Sequence, residues 1–419
     1  MQLFSLSDFF FTLYPIKIKV NVRIPFTFWQ AQTTYKSEMN LTSTRLSASI
    51  FAIFLVIGIY LPFLPTWLEG RGLTAQQVGM VFAVALWMRI PVGLGLAAIT
   101  DATGRRKSVL VAVSLIIFLG FISFMFMDGY WALLFGWVVV GTLLTSTIPL
   151  TDNLVMMSIG ERKADYGRIR LWGSVSFIAA SILGGMYLQG RDSETILHLL
   201  IAGSLAIVVG ALLAPSVRTA PRTTRKPALF DLLQDRPFVV FVLTAACLQA
   251  SHAALYGFAS IAWKAAGHSE GMIGLLWAEG VALEVLLFTF GSSLMARFRV
   301  WQVLLLASLA GILRWTVLGS TTDLYWLIAA QGLHALTFAG THLAAVMYIA
   351  RRIPPDRSAS AQSLYDGLAM GFMFGIAMML AGWVYGMNTT DAFYVMVVFS
   401  ALGGIGAIAL GKMQQVSAP

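Results

Sequence analysis

Phe63-Leu-Pro-Thr-Trp-Leu-Glu-Gly-Arg-Gly72-Leu-Thr74-Ala-Gln-Gln-Val78-Gly79 has a counterpart 195 residues further along, Phe258-Ala-Ser-Ile-Ala-Trp-Lys-Ala-Ala-Gly267-His-Ser269-Glu-Gly-Met-Ile273-Gly274. Five positions correspond at this one spacing: Phe63 with Phe258, Gly72 with Gly267, Thr74 with Ser269, Val78 with Ile273, and Gly79 with Gly274. Each stretch closes an apolar run, turns, and opens the next run with a hydroxyl residue able to cap a helix. Matches at one fixed offset, across a turn with specific backbone needs, indicate a duplicated unit.

The flanking apolar runs set the size of that unit. A helix needs about 20 mostly apolar residues to cross roughly 30 Å of hydrocarbon. Twelve stretches qualify, at 47–68, 76–99, 108–127, 131–158, 169–189, 195–215, 237–260, 270–296, 302–320, 323–350, 359–387 and 391–411. The composition agrees, with 58% hydrophobic residues, 11% charged and a mean hydropathy of +0.79. A soluble domain carries roughly 25% charged residues. The expected fold is therefore an all-α membrane protein of two six-helix pseudo-symmetric halves, residues 39–215 and 237–419. A cytoplasmic linker at 216–236 joins them. Residues 1–38 lack the order of a signal peptide and precede a second plausible start at Met39; they are expected to be an extension with no transport role.

The formal charge of +9 does not point to nucleic acid, because the basic residues cluster in short connections between spans. Arg105, Arg106 and Lys107 follow the second span; Arg162, Lys163 and Arg168 follow the fourth; Arg218, Arg222, Arg225, Lys226 and Arg236 follow the sixth. Arg297 and Arg299, then Arg351, Arg352 and Arg357, continue the pattern, whereas the opposite connections hold only Arg71, Arg191 and Lys264. Positive charge stays on the cytoplasmic side, so both termini are expected there. The single cysteine, Cys247, lies in an apolar run and leaves no disulfide framework. No P-loop, nucleophile elbow, dinucleotide fingerprint or zinc spacing occurs, so neither catalysis, a cofactor nor a metal is expected.

Between the second and third spans the chain reads Ala97-Ala-Ile-Thr-Asp101-Ala-Thr-Gly104-Arg105-Arg106-Lys107. This resembles the G-x-x-x-D-x-x-G-[RK]-[RK] loop signature of the major facilitator superfamily, with Ala97 in place of the first glycine. An acid ending one helix and a basic cluster before the next can pair and release as two halves rock, so Asp101, Gly104, Arg105 and Arg106 are expected to form a conformational latch. Pro149-Leu-Thr-Asp152-Asn153 and Tyr166-Gly-Arg-Ile-Arg170-Leu-Trp172-Gly-Ser174 are similar to the segment joining helices four and five in the lactose permease branch. By that resemblance Asp152 and Arg170 fall on a functional carboxylate and arginine. Gln249-Ala-Ser-His252, Trp277-Ala-Glu279-Gly-Val-Ala-Leu-Glu284-Val, Arg314-Trp315 and the stretch from His334 to His342 resemble the 3-phenylpropionate permease family of that branch. The likeness spans residues 40–412 and implies proton-driven uptake of a substituted aromatic acid.

Whatever the family, Arg89, Asp152, Glu279, Glu284 and Arg314 lie within apolar spans, together with His252, His334 and His342. A bare central charge costs roughly 2.5–3.5 kcal/mol. Five would cost on the order of 12–17 kcal/mol, comparable with the ~5–15 kcal/mol stability of a whole domain, so they must face water or one another. Arg89 precedes Asp101 by twelve residues, about 18 Å at 1.5 Å per residue, and the repeat offset places Glu284 at the equivalent point of the second half. A guanidinium fork matches a carboxylate, which makes Arg89 the expected anchor for an anionic substrate; the rival role is an ion pair with an acid such as Asp152. Asp152, Arg170, His252, Arg314 and His334 complete the expected substrate site. An acid withdrawn from water takes up a proton more readily, so Glu284 is the first candidate for the coupled proton, with Glu279 and His342 beside it. Glu279 sits about 140° around the helix from Glu284 and should face elsewhere.

The expected protein is a monomeric carrier in the cytoplasmic membrane, whose partners are a small-molecule substrate, protons and the lipid bilayer. Uptake of a sugar or nucleoside, efflux, and a transport-dead membrane sensor are the competing readings.

Overall fold

A computed structural model describes residues 26–159, 163–217, 229–291 and 297–416. Among them twelve helices are long and apolar enough to span a membrane. These are α1 (Leu41–Gly70), α2 (Ala75–Thr103), α3 (Arg106–Phe126), α4 (Tyr130–Ser158), α5 (Tyr166–Leu188), α6 (Glu194–Leu213), α7 (Arg236–Ala265), α8 (Glu270–Gly291), α9 (Val300–Ser320), α10 (Leu324–Arg352), α11 (Ser358–Tyr385) and α12 (Asp391–Gln414). All twelve expected spans are present, their ends displaced by a few residues. The first helix starts upstream of its span, at Phe26, so the backbone runs unbroken across Met39. Residues 1–25 of the expected extension and 218–228 of the expected linker lie outside the described residues.

The duplicated turns have the same construction. The Thr74 hydroxyl accepts a hydrogen bond from the Gln77 amide and Ser269 accepts one from Met272, both at 3.3 Å. Each thereby satisfies an amide that the first helical turn leaves unpaired. Gly72 and Gly267 adopt φ of 81° and 93°, a left-handed conformation costly to residues with a Cβ.

The two halves meet where the chain has least side chain. In the first half α1 packs on α5 and α6, and α2 on α4; in the second, α7 packs on α11 and α12, and α9 on α12. Across the interface α2 packs on α11 and α5 on α8. A Cβ on Gly79 would come within 2.8 Å of the Met378 carbonyl oxygen, and one on Gly274 within 2.0 Å of that of Ser181. These are the two repeat-equivalent glycines, and they perform equivalent crossings. The crossings lie toward the end bearing the α1–α2 and α7–α8 turns. Further along, α2 touches Gly367 and Gly371 of α11 through Ile90, and a Cβ on Gly93 or Gly95 would meet nothing within 4 Å. The halves thus close at the α1–α2 end and part toward the α2–α3 end.

Four second-half spans contain a π-helical stretch: Leu255–Ala259 in α7, Leu287–Gly291 in α8, Ala335–Gly340 in α10 and Asp366–Met373 in α11. Among the described residues the first half has none. A widened turn re-aims the side chains beyond it and recurs at functional sites. Here they lie within a few residues of His252, Glu284 and His334 in sequence, and the fourth begins at Asp366.

Candidate substrate and proton site

The least apolar spans are α10 and α5, with mean hydropathies of 1.4 and 1.5, and both carry polar side chains inward. At the core of the second half Arg314 is wholly enclosed. Its Nη1 donates to His334 Nδ1 (3.1 Å) and Thr337 Oγ1 (3.0 Å), and its Nη2 to Gln331 Oε1 (2.5 Å). The guanidinium carbon lies 4.5 Å from the Trp315 ring centroid, a cation–π contact that helps to offset lost hydration. Its Nε has no partner among the described residues. Arg314 is therefore a hub that fixes other side chains rather than a group open to solvent.

The hub determines a tautomer. A guanidinium can only donate, so Nδ1 of His334 must be an acceptor and the ring proton must sit on Nε2. That Nε2 faces Glu284 Oε2 at 3.6 Å. Protonating Nδ1 would set two donors against each other, so this contact favours the neutral imidazole. His252 is also enclosed, its Nδ1 3.1 Å from the Gln249 carbonyl oxygen and its Nε2 3.0 Å from Thr337 Oγ1. The carbonyl can only accept, which puts the His252 proton on Nδ1. Polar contacts continue from Gln249 Nε2 to Tyr365 Oη (3.2 Å), and from there to His342 Nδ1 (3.4 Å).

The remaining charges are reachable by solvent. Glu284 keeps 22% of its side chain accessible, Asp152 29% and Arg170 34%. Because such charges do not tolerate lipid, their accessible surface must border an aqueous cleft between the halves. Arg170 Nε lies 4.0 Å from Asp152 Oδ1 and 4.3 Å from the Phe54 ring centroid to its guanidinium carbon. Arg170 is also within electrostatic range of Glu284 on the opposing half. Arg89 forms no ion pair with Asp152 among the described residues; the acid whose charge it feels is Asp366 on α11, and it also acts on Tyr60 of α1. Glu279 is turned toward Arg314 and Gly332, away from Glu284, as helical spacing anticipates.

Aromatic rings pack near these charges. Tyr256 is half-buried, with its ring 5.5 Å from Trp277, 5.5 Å from Phe374 and 6.4 Å from Phe338, and Phe338 stacks on His334 at 5.4 Å. Trp277 and Trp315 donate their indole protons to Ser260 and Ser251 at 3.0 and 3.2 Å, so both are packed and satisfied. Sequence reasoning missed Asp366, Tyr60, Phe338 and Gln331. Asp366 had one available signal: shifted back by the repeat offset it falls at 171, beside Arg170.

Of the expected latch residues, Asp101 and Arg106 pair within the first half. Arg106 Nη2 lies 3.1 Å from Asp101 Oδ1 and its Nε donates to Asn153 Oδ1 at 2.7 Å. Gly104 ends α2 at φ 63° with its amide on the Thr100 carbonyl, and Arg105 lines a small polar cavity with Lys107 and Ser216. The signature loop thus ties α2 and α3 to α4.

A family model described as the MFS_1 like family matches residues 43–396. The chain is 34% identical over 373 residues to the "Probable 3-phenylpropionic acid transporter" of Escherichia coli (strain K12), a match covering 86% of this chain and 96% of that one. It is 22% identical over 361 residues to the "Maltose permease" of Geobacillus stearothermophilus, covering 85% and 91%. The crystal structure of "nucleoside transporter NupG" superposes with a TM-score of 0.77 at 17% identity, covering 89% of this chain and 98% of that one, a likeness of fold.

Proposed function

This chain belongs to the MFS_1 like family, within the major facilitator transporters, and from that premise we propose that it is a proton-coupled symporter importing a small organic anion of the 3-phenylpropionate type. As a multi-pass transporter of the bacterial inner membrane it performs no covalent step. The observation that carries the reading is the composition of the cleft. Arg170 of the first half stands within electrostatic range of a carboxyl, Glu284, in the second, Arg89 on α2 adds a further intramembrane cation to the first half, and the half-buried rings of Tyr256 and Phe338 lie 6.4 Å apart nearby. A guanidinium suits a carboxylate, aromatic rings suit a phenyl group, and a carboxyl poised by a neutral imidazole suits a proton. The printed name of the relative 34% identical to this chain favours the same substrate class.

In this reading Arg89 and Arg170 hold the substrate's carboxylate and Glu284 carries the proton. His334 orients that acid, while Arg314 and His252 hold His334 in place. Lys and Arg placement supports cytoplasmic termini, so the cleft opens inward. The halves 39–215 and 237–419 rock about the α2–α11 and α5–α8 crossings, with the Asp101–Arg106 pair bracing the first half as it moves. A monomer suffices, because both halves of the cleft come from one chain. Sugar or nucleoside symport is the second reading, favoured by the Asp152–Arg170 pair, which could hydrogen-bond hydroxyls.

The test is uptake of labelled 3-phenylpropionate into proteoliposomes under an inward proton gradient. Accumulation that collapses with a protonophore is the expected result. Accumulation of lactose or a nucleoside in its place would overturn the substrate class, and accumulation indifferent to the protonophore would overturn the coupling.

A further inference from the structure

Where α3 begins, beside the end of α6, lies a cavity of about 160 Å³, far above the roughly 10–15 Å³ that admits one water. Arg105, Arg106, Lys107 and Ser108 line it from the start of α3, and Ser216 and Val217 from just beyond α6. Three cations and two hydroxyls converge on this space, and no acid lines it. Arg106 is engaged with Asp101 and Asn153, but among the described residues the side chains of Arg105 and Lys107 have neither an ion pair nor a hydrogen bond. Arg105 gives the first turn of α3 no side-chain cap, which leaves the amides of Lys107 and Ser108 for an anion.

The fold does not demand this charge. The offset of 195 relates Arg105-Arg106-Lys107 to Val300-Trp301-Gln302 at the start of α9. There Val300 is buried and Gln302 Oε1 accepts from the Arg299 amide at 2.9 Å, so the equivalent helix start is neutral and folds back on itself.

An apolar groove of about 360 Å³ approaches the same end of the molecule. Ala202, Leu205, Ala206, Val209 and Leu213 of α6 line it with Ala48 of α1, and its last residue stands three before Ser216. Beyond it Val217 packs against Leu46, Leu110 and Ala214, where α1, α3 and α6 meet. From Ala202 to Leu213 the groove spans about 16 Å at 1.5 Å per residue, close to the ~15 Å that one leaflet contributes to the hydrocarbon core. Because α3 begins at Arg106 and α6 ends at Leu213, the cavity lies where two spans leave the hydrocarbon, at the level of lipid headgroups.

We propose that the cavity is a phosphate site occupied by the headgroup of an anionic phospholipid, with one acyl chain lying in the α1–α6 groove. The Arg105 fork takes two phosphate oxygens, Lys107 adds a point charge, and the first amides of α3 complete the cradle. Basic pockets at the ends of spans suit such headgroups. The lipid covers the groove and holds the first half at the bilayer surface.

Native mass spectrometry of the delipidated full-length chain tests this by titration with phosphatidylglycerol, with phosphatidylcholine of the same acyl chains, and with inorganic phosphate. One phosphatidylglycerol should be retained in preference to phosphatidylcholine. Arg105→Gln with Lys107→Gln should bind it roughly thirtyfold more weakly, whereas Arg297→Gln with Arg299→Gln, which removes the same charge from the same end of the second half, should not. Arg105→Lys keeps the charge and should retain most of the binding, which separates lost charge from misfolding. Ala206→Phe, which fills the groove, should weaken phosphatidylglycerol several-fold and leave inorganic phosphate unaffected. Unchanged binding in the Arg105 and Lys107 double variant, or an equal loss in the control, overturns the phosphate site. Inorganic phosphate that binds as tightly as the lipid and displaces it, or an Ala206→Phe variant that binds the lipid normally, overturns the lipid as its occupant.

Discussion

Glu284 Oε2 on α8 lies 3.6 Å from Nε2 of His334 on α10, and the other nitrogen of that ring accepts from Arg314 at 3.1 Å. One arginine thereby fixes which nitrogen carries the proton and aims it at the carboxylate. Nitrogen-15 spectra of the histidine rings should show His334 as the neutral Nε2–H tautomer. Arg314→Met should release the constraint and populate the Nδ1–H form.

Uptake should rise as the external medium is acidified, because the loaded carrier must hold its proton on Glu284. Glu284→Gln, which mimics the protonated acid, should abolish accumulation driven by a proton gradient. It should leave exchange of labelled for unlabelled substrate intact, since exchange moves no net proton. Loss of both activities would place Glu284 in substrate binding instead.

Arg89→Lys and Arg170→Lys retain charge but lose the planar fork. Each should raise the apparent KM for an anionic substrate roughly tenfold, about 1.4 kcal/mol, with little change in the thermal unfolding temperature. An unchanged KM in both would remove them from the anion site.

Removing the hub should act on stability more than on affinity. Arg314→Lys cannot serve Gln331, His334 and Thr337 together, and hydrogen bonds to a charged donor contribute about 1.5–3 kcal/mol each. Thermal unfolding of the purified protein should occur several degrees lower, and restoring Arg should recover it.

The two crossings should be sensitive to a single methyl group. A Cβ at position 274 would sit 2.0 Å from the Ser181 carbonyl oxygen and one at 79 would sit 2.8 Å from that of Met378, and both obstacles are backbone. Gly274→Ala and Gly79→Ala should each cost about 1–3 kcal/mol of overpacking and bias the carrier toward separation at the α1–α2 end. Increased cysteine labelling near that end would report the shift.

The sequence alone determined the twelve spans, the duplication and the capped turns, because hydropathy, helix caps and glycine turns are local properties of a chain that must satisfy its backbone in lipid. It also determined that Arg89, Glu284 and their neighbours had to meet water or one another, since charge in hydrocarbon is costly wherever it lies. It could not reveal that Arg314 is sealed within its own half, that Asp366 is exposed within its span, or that Arg89 acts on Asp366 of α11 rather than on Asp152. Those outcomes depend on which faces of distant helices meet, and the π-helical stretches in α7, α8, α10 and α11 turn those faces by amounts that no periodicity in the sequence announces. The partners of each charge, such as His334 and Gln331 for Arg314 or Asp152 for Arg170, sit on different helices, and only the tertiary structure brings them together.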